Sequence, residues 1–200
     1  MVDAHVVTHL RDGLVTGLDY GSNEKTAEYV HASKLVKFRA EASDRFSPAA
    51  GKVIRFRLVD DCWLQTGTVR FMAQLVNKTG HDITPIAPPG SMFRSMRLFV
   101  GGQVCETIDE TTVLMTILDR FKSTDRKTND SMLAHAGNVG LANNKARNLM
   151  FELPFGLLKQ QRWLPLHIMS QLVVELTIGG ATDAFSQADC DWELRNVCVL

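Results

Sequence analysis

The chain has 200 residues, 22 basic against 22 acidic side chains and so no net charge, with 45% hydrophobic and 22% charged residues. That balance excludes a wholly disordered polymer and fits one large folded domain. A protein that draws its affinity from nucleic-acid phosphates normally carries a basic excess, so no specific nucleic-acid partner is expected.

Residues 1–45 are mixed and weakly periodic, with Gly13, Gly17 and Gly21 spaced through a polar stretch. They read as an N-terminal arm that is either a mobile end or a segment ordered only by a neighbour. YVHASKLVKFRA offers one strand within it. The opening MVDAHVVTHLRDG contains no signal peptide and no lipidation motif.

From Val53 the pattern changes. VIRFRLV sets Val53, Arg55 and Arg57 on one face and Ile54, Phe56 and Leu58 on the other. TVRFMAQLV does the same with Val69, Phe71, Ala73 and Leu75. Period two over such lengths predicts half-buried strands. HDITPIAPPGS, with three prolines in eleven residues, is excluded from a sheet interior and reads as a surface loop over 79–94. In SMRLFVGGQVCETI two β-prone runs flank Gly101-Gly102, whose positive φ angles suit a tight hairpin.

The period then switches. In DETTVLMTILDRFK, Val113, Leu114, Ile117, Leu118 and Phe121 recur at helical spacing, with Asp109 as N-cap. Residues 123–146 are polar and predict a long surface loop. Strand alternation returns at Leu149, Phe151 and Leu153, again at Leu172, Val174, Leu176 and Ile178, and finally along DWELRNVCVL to Leu200. An end inside an apolar strand leads us to expect a longer native polypeptide.

Residues 151–178, FELPFGLLKQQRWLPLHIMSQLVVELTI, need a separate account. A membrane span takes about 20 nearly uncharged residues in one helix, whereas Pro154, Lys159, Arg162 and Pro165 interrupt this one. The stretch therefore reads as two buried strands joined by an ordered apolar connection.

Chemistry is sparse. The sequence has no GxSxG, HExxH, phosphate-loop or dinucleotide motif. Gly137 to Gly140 is a lone GxxG in a polar loop, which reads as a turn. His5 and His9 lie four apart in the arm without further ligands. Asp189, Asp191 and Glu193 alternate, but a solvated face explains them better than calcium, and Asp60-Asp61 reads as a turn. Cys62, Cys105, Cys190 and Cys198 lack metal spacing and are expected to be reduced and mostly buried. The sequons at Asn77 and Asn129 read as loop residues. No enzyme activity, cofactor or metal is expected. The elements sum to an all-β, antiparallel two-sheet jelly roll with one short helix, occupying residues 46–200 after the arm 1–45.

The order of the motifs carries a resemblance. KVIRFRL precedes CWLQTGTVRFMAQLVN; MRLFVGGQVCETID brings a Gly-Gly-Gln hairpin tip and leads at once into ETTVLMTILDRF; FELPFGLL leads to RWLPLHIMSQLVVELTI; DWELRNVCVL closes. The succession resembles the N-terminal jelly roll of double jelly-roll major capsid proteins, the family of polinton-like viruses, virophages, adintoviruses and nucleocytoplasmic large DNA viruses. Carrying it are Leu153, Pro154 and Gly156, then Leu164, Pro165, Leu166, Met169, Leu172, Glu175 and Leu176, with Gly101, Gly102 and Glu106 at the hairpin. It covers roughly residues 30–200, and only one of the family's two jelly rolls fits this length.

The resemblance implies a structural subunit of the virion, assembled inside the host cell, whose homotrimers form pseudo-hexameric capsomers that tile an icosahedral shell. Neighbouring capsomers, with minor capsid or penton proteins, would be the partners. It further implies that the apolar connection is buried against a tandem domain or the next subunit, with Phe155, Leu157, Leu158 and Trp163 facing that contact. Lys159, Gln160, Gln161 and Arg162 would form its polar crest. The alternative is a carbohydrate- or ligand-binding jelly roll using Trp63 and the 123–146 loop.

Overall fold

Alternation in the sequence becomes alternation of burial. The computed structural model describes residues 33–123, 140–180, 184–186 and 189–200. Its strands are β1 (Phe38–Arg39), β2 (Arg45–Phe46), β3 (Val53–Leu58), β4 (Trp63–Gln65), β5 (Arg70–Asn77), β6 (Phe93–Val100), β7 (Gln103–Asp109), β8 (Ala146–Glu152), β9 (Trp163–Pro165), β10 (Leu172–Ile178) and β11 (Trp192–Val199). Two α-helices are present among the described residues, α1 (Thr111–Arg120) and the single turn α2 (Gly156–Lys159). Along β3 every second residue is buried, namely Ile54, Phe56 and Leu58. Along β5, Phe71, Ala73 and Leu75 point inward, as their period predicts.

One sheet runs β1-β11-β5-β8, with β2 also on β11; the other runs β3-β10-β6-β7, and β4 pairs with β9 in a small ribbon. If β1 and β2 count as one interrupted strand and the ribbon is set aside, eight strands remain. They pair first with last (β1/β2 with β11), second with seventh (β3 with β10), third with sixth (β5 with β8) and fourth with fifth (β6 with β7). That order arises when one long antiparallel hairpin is curled over on itself, and it makes a jelly roll. The apex of the hairpin is the turn at Gly101 and Gly102, whose φ values of 59° and 81° suit glycine.

The strand offered by YVHASKLVKFRA is β1. Phe38 and Arg39 pair with Val199 and Cys198 in one sheet, while Ala40 and Glu41 bridge to Phe56 and Arg55 at the edge of the other. This segment thereby closes one side of the sandwich. On the opposite side β7 and β8 are the outer strands.

The inner faces meet through aromatic rings. Phe71 lies 6.0 Å from Phe56, 5.2 Å from Phe93 and 4.9 Å from Phe151, so it joins both sheets. Leu172, Val174, Leu176 and Ile178 of β10 are all buried, each contributing about 1.5–3 kcal/mol of hydrophobic stabilisation before entropy is subtracted.

Several expectations change. Asp109 does not cap α1: it is the last residue of β7, and the cap position is Glu110, left-handed at φ 54° with no side-chain cap bond. The hairpin and helix are fused so tightly that the strand consumes the predicted cap. Strict alternation fails in β11, where a register shift at Asn196 (φ 51°) leaves Val197, Cys198 and Val199 buried in succession. The 79–94 stretch is not simply surface. Ile83 and the 3₁₀ turn Pro89–Met92 are buried, and Gly90 lies directly under Met115 of α1. Proline at these positions brings no N–H that burial would leave unpaired.

Candidate assembly surface

The connection between β8 and β10 is ordered, as its composition predicts. It runs through α2 and β9 to a turn at 166–171. Phe155 and Leu158 point into this domain's own core, with 0% and 3% of their surface exposed. Leu157 and Trp163 are half-buried. Of the four residues expected at a contact, these two retain surface that another chain can reach.

Two polar anchors hold the connection. Glu106, at the edge strand β7, accepts the backbone N–H groups of Gly156 at 2.7 Å and Leu157 at 2.6 Å. Those N–H groups start a helical turn and have no partner within it, so a carboxylate there is favourable. Thr66, buried, places its hydroxyl 2.6 Å from the Gln160 carbonyl and 3.0 Å from that of Arg162, and donates between them. Lys159 and Gln161 face water, whereas Gln160 and Arg162 are half-buried, so the polar crest is partly sunk.

At the same end, Trp63 packs its ring edge-on against His167 at 5.3 Å. Lys34 pairs with Asp60 at 2.9 Å and ties the entering chain to the β3–β4 turn. A cavity of about 240 Å³ opens between Gly67, Val69, Arg70, Glu152, Leu153, Leu158 and Lys159. It has no aromatic wall.

The acidic trio does not converge. Glu193 is buried under Lys78 and Arg195, while Asp189 and Asp191 face water. Among the described residues no three His, Cys, Asp or Glu side chains are placed to hold a metal. Burial on its own would raise the Glu193 pKa, but hydrogen bonds from Lys78 and Arg195 outweigh it and hold the carboxyl below its ordinary value.

None of the four cysteines is in a disulfide. Only Cys198 is fully buried, and Cys105 is exposed on β7 because that edge strand has no neighbour beyond it. Asn77 is no loop residue. Buried at the end of β5, it donates to the carbonyls of His81 and Leu141 at 2.7 and 2.9 Å and accepts from the Thr79 N–H. His5, His9, Asn129 and Gly137 to Val139 lie outside the described residues.

The feature absent from the sequence reading is a second face on α1. Thr111 and Met115 are buried and Leu118 packs on the core, whereas Val113, Ile117 and Phe121 point away, exposed by 56%, 47% and 84%. Helical spacing predicted that Val113, Leu114, Ile117, Leu118 and Phe121 belong to one helix and left their directions open. The readable signal was the width of the apolar arc, which is too broad for a single buried stripe.

No family model matches the sequence, and no curated protein matches it. Solved structures do. The Sputnik virophage structure matches with a TM-score of 0.50 and 8% identity, over 93% of this chain and 50% of that chain. The PBCV-1 virus capsid gives 0.47 and 12% identity over 88% and 44% of the two chains. The STIV MCP gives 0.40 and 12% over 81% and 47%. This chain spans about half the length of each. The jelly roll described here is thus a fold that it shares with half of the Sputnik virophage chain.

Proposed function

We infer that this chain is a structural subunit of a viral capsid. The observation that carries the reading is the eight-strand jelly roll, which follows half of the Sputnik virophage chain along 93% of its own length. The zero net charge is compatible with it, since copies with equal numbers of acids and bases carry no net mutual repulsion. In this reading the 200 residues supply one jelly-roll unit, whose first strand already lies within the stretch 1–45, and the unit works by packing rather than by chemistry. Closed rings of heterologous contacts would build trimers, and trimers would tile an icosahedral shell. Leu157 and Trp163, half-buried, would be the residues of the apolar connection that meet a tandem domain or a neighbour. Phe155 and Leu158 would support them from beneath. No described helix is long and apolar enough to cross a membrane.

The ligand-binding alternative draws on Trp63, which is partly exposed. The cavity beside Arg70 and Glu152 nevertheless lies elsewhere and lacks the aromatic wall on which a sugar stacks. The deciding experiment is light scattering and electron microscopy on the product of the complete reading frame. Trimers or closed shells are expected. A species that never exceeds a dimer at any concentration or salt overturns the capsid reading.

A further inference from the structure

We propose that the outer face of α1 is a self-complementary contact, occupied by α1 of a second copy of this chain running antiparallel to it about a twofold axis through Ile117. The apolar arc of α1 is wider than a single buried stripe, while Thr112, Thr116, Asp119 and Arg120 keep the remaining side polar. One side of α1 is covered by the 3₁₀ turn beneath it, where Gly90 meets Met115. The other presents Val113, Ile117 and Phe121, spaced four apart, as a stripe symmetric about its central residue.

That symmetry identifies the occupant. In an antiparallel pair centred on Ile117, each Ile117 meets its own copy and each Val113 meets the partner copy's Phe121 position. Charges complete the match. Glu110, at the left-handed N-cap, and Arg120, in the last turn, stand at opposite ends of α1, and both are exposed. Reversal of one helix brings the acid of each copy to the base of the other. From the rise of an α-helix they lie about 6 Å apart along the axis, a gap that an arginine side chain spans. Antiparallel packing also opposes the helix dipoles favourably. A twofold contact of this kind is isologous and does not depend on the capsid reading.

The test uses the 200-residue chain, with sedimentation equilibrium and thiol crosslinking as readouts. The wild type should dimerise with rising concentration. Ile117→Arg should weaken that dimer by at least roughly tenfold, as expected of a central, desolvated position, while the melt of the dilute, monomeric chain stays unchanged because the side chain is exposed. Glu110→Arg should weaken it, and Glu110→Arg combined with Arg120→Glu should restore it. Under mild oxidation Ile117→Cys should give a covalent dimer that the wild type, with its own cysteines, does not form. Val113→Cys should crosslink with Phe121→Cys rather than with itself. A monomer at every concentration overturns the proposal, whether residues 124–139 or a different protein covers the stripe. So does an oligomer whose mass Ile117→Arg leaves unmoved. Trimers or shells that survive Ile117→Arg would sink this contact and leave the capsid reading standing. A dimer abolished by that substitution, with nothing larger ever formed, would do the reverse.

Discussion

Glu106 shows how much one side chain can fix. Its carboxylate takes two backbone N–H groups of a connection fifty residues away, Gly156 and Leu157, so the edge of β7 and the start of α2 are held together by one residue. Glu106→Ala should cost about 1–3 kcal/mol, measured as a lower urea midpoint with unchanged slope, and should speed proteolysis at 156–162. Glu193 makes a different prediction. Its folded pKa is held below the ordinary 4.5, so ionised Glu193 stabilises the fold above that value. The contribution disappears as pH falls through the lower, folded value. Melting temperature should therefore drop below about pH 4.5, and Glu193→Gln should be less stable at neutral pH with a flatter acid limb. Equal acid slopes for both proteins would refute the assignment. Neither partnership was legible in the sequence, because Lys78 and Glu193 are 115 positions apart and only the sheet order brings them together.

At the scale of elements, the β6–β7 hairpin and α1 form one continuous unit, and the turn between the strands is its critical point. Gly101 and Gly102 both lie at positive φ, but their surroundings differ. A Cβ on Gly101 would stand 3.0 Å from the Ser170 side chain, whereas one on Gly102 would meet nothing within 4 Å. Gly101→Ala should thus destabilise by about 1–3 kcal/mol, from left-handed strain plus that contact. Gly102→Asn should cost less than about 1 kcal/mol, since asparagine tolerates the left-handed region. Chemical denaturation of the two variants checks the order. The hairpin itself was readable from Gly-Gly between two β-prone runs. The helix was readable from its period, and only the direction of its residues was not: spacing reports that side chains share a face without reporting what lies opposite.

For the whole molecule, the topology pairs the beginning of the described chain with its end. Residues 38–41 touch β11 in one sheet and β3 in the other, so they cover edges of both. Removal of residues 1–46 would leave those edges as open templates for pairing with other chains. That truncated protein should precipitate on purification where the full chain stays in solution, and a truncated protein that stays in solution with the native melting temperature would contradict this role. Because first pairs with last, folding should also be slow, in the millisecond-to-second range of all-β proteins with non-local pairing. Stopped-flow fluorescence from Trp192, buried in the core, reports it.

The sequence by itself determined the secondary-structure alphabet and the inner face of most strands, because a period of two fixes which side chains turn together and apolar burial decides which way they turn. It also determined that 151–178 is a broken, ordered connection rather than a span, since proline and charge forbid one continuous helix there. Only the tertiary structure decided that Phe155 and Leu158 belong to this domain's own core while Leu157 and Trp163 keep open surface. It likewise decided that the proline-rich 88–92 stretch underlies a helix, and that α1 leaves an apolar face exposed among the described residues. The reason is common to all three: periodicity is a local property of consecutive residues, whereas burial depends on what the rest of the chain places opposite them.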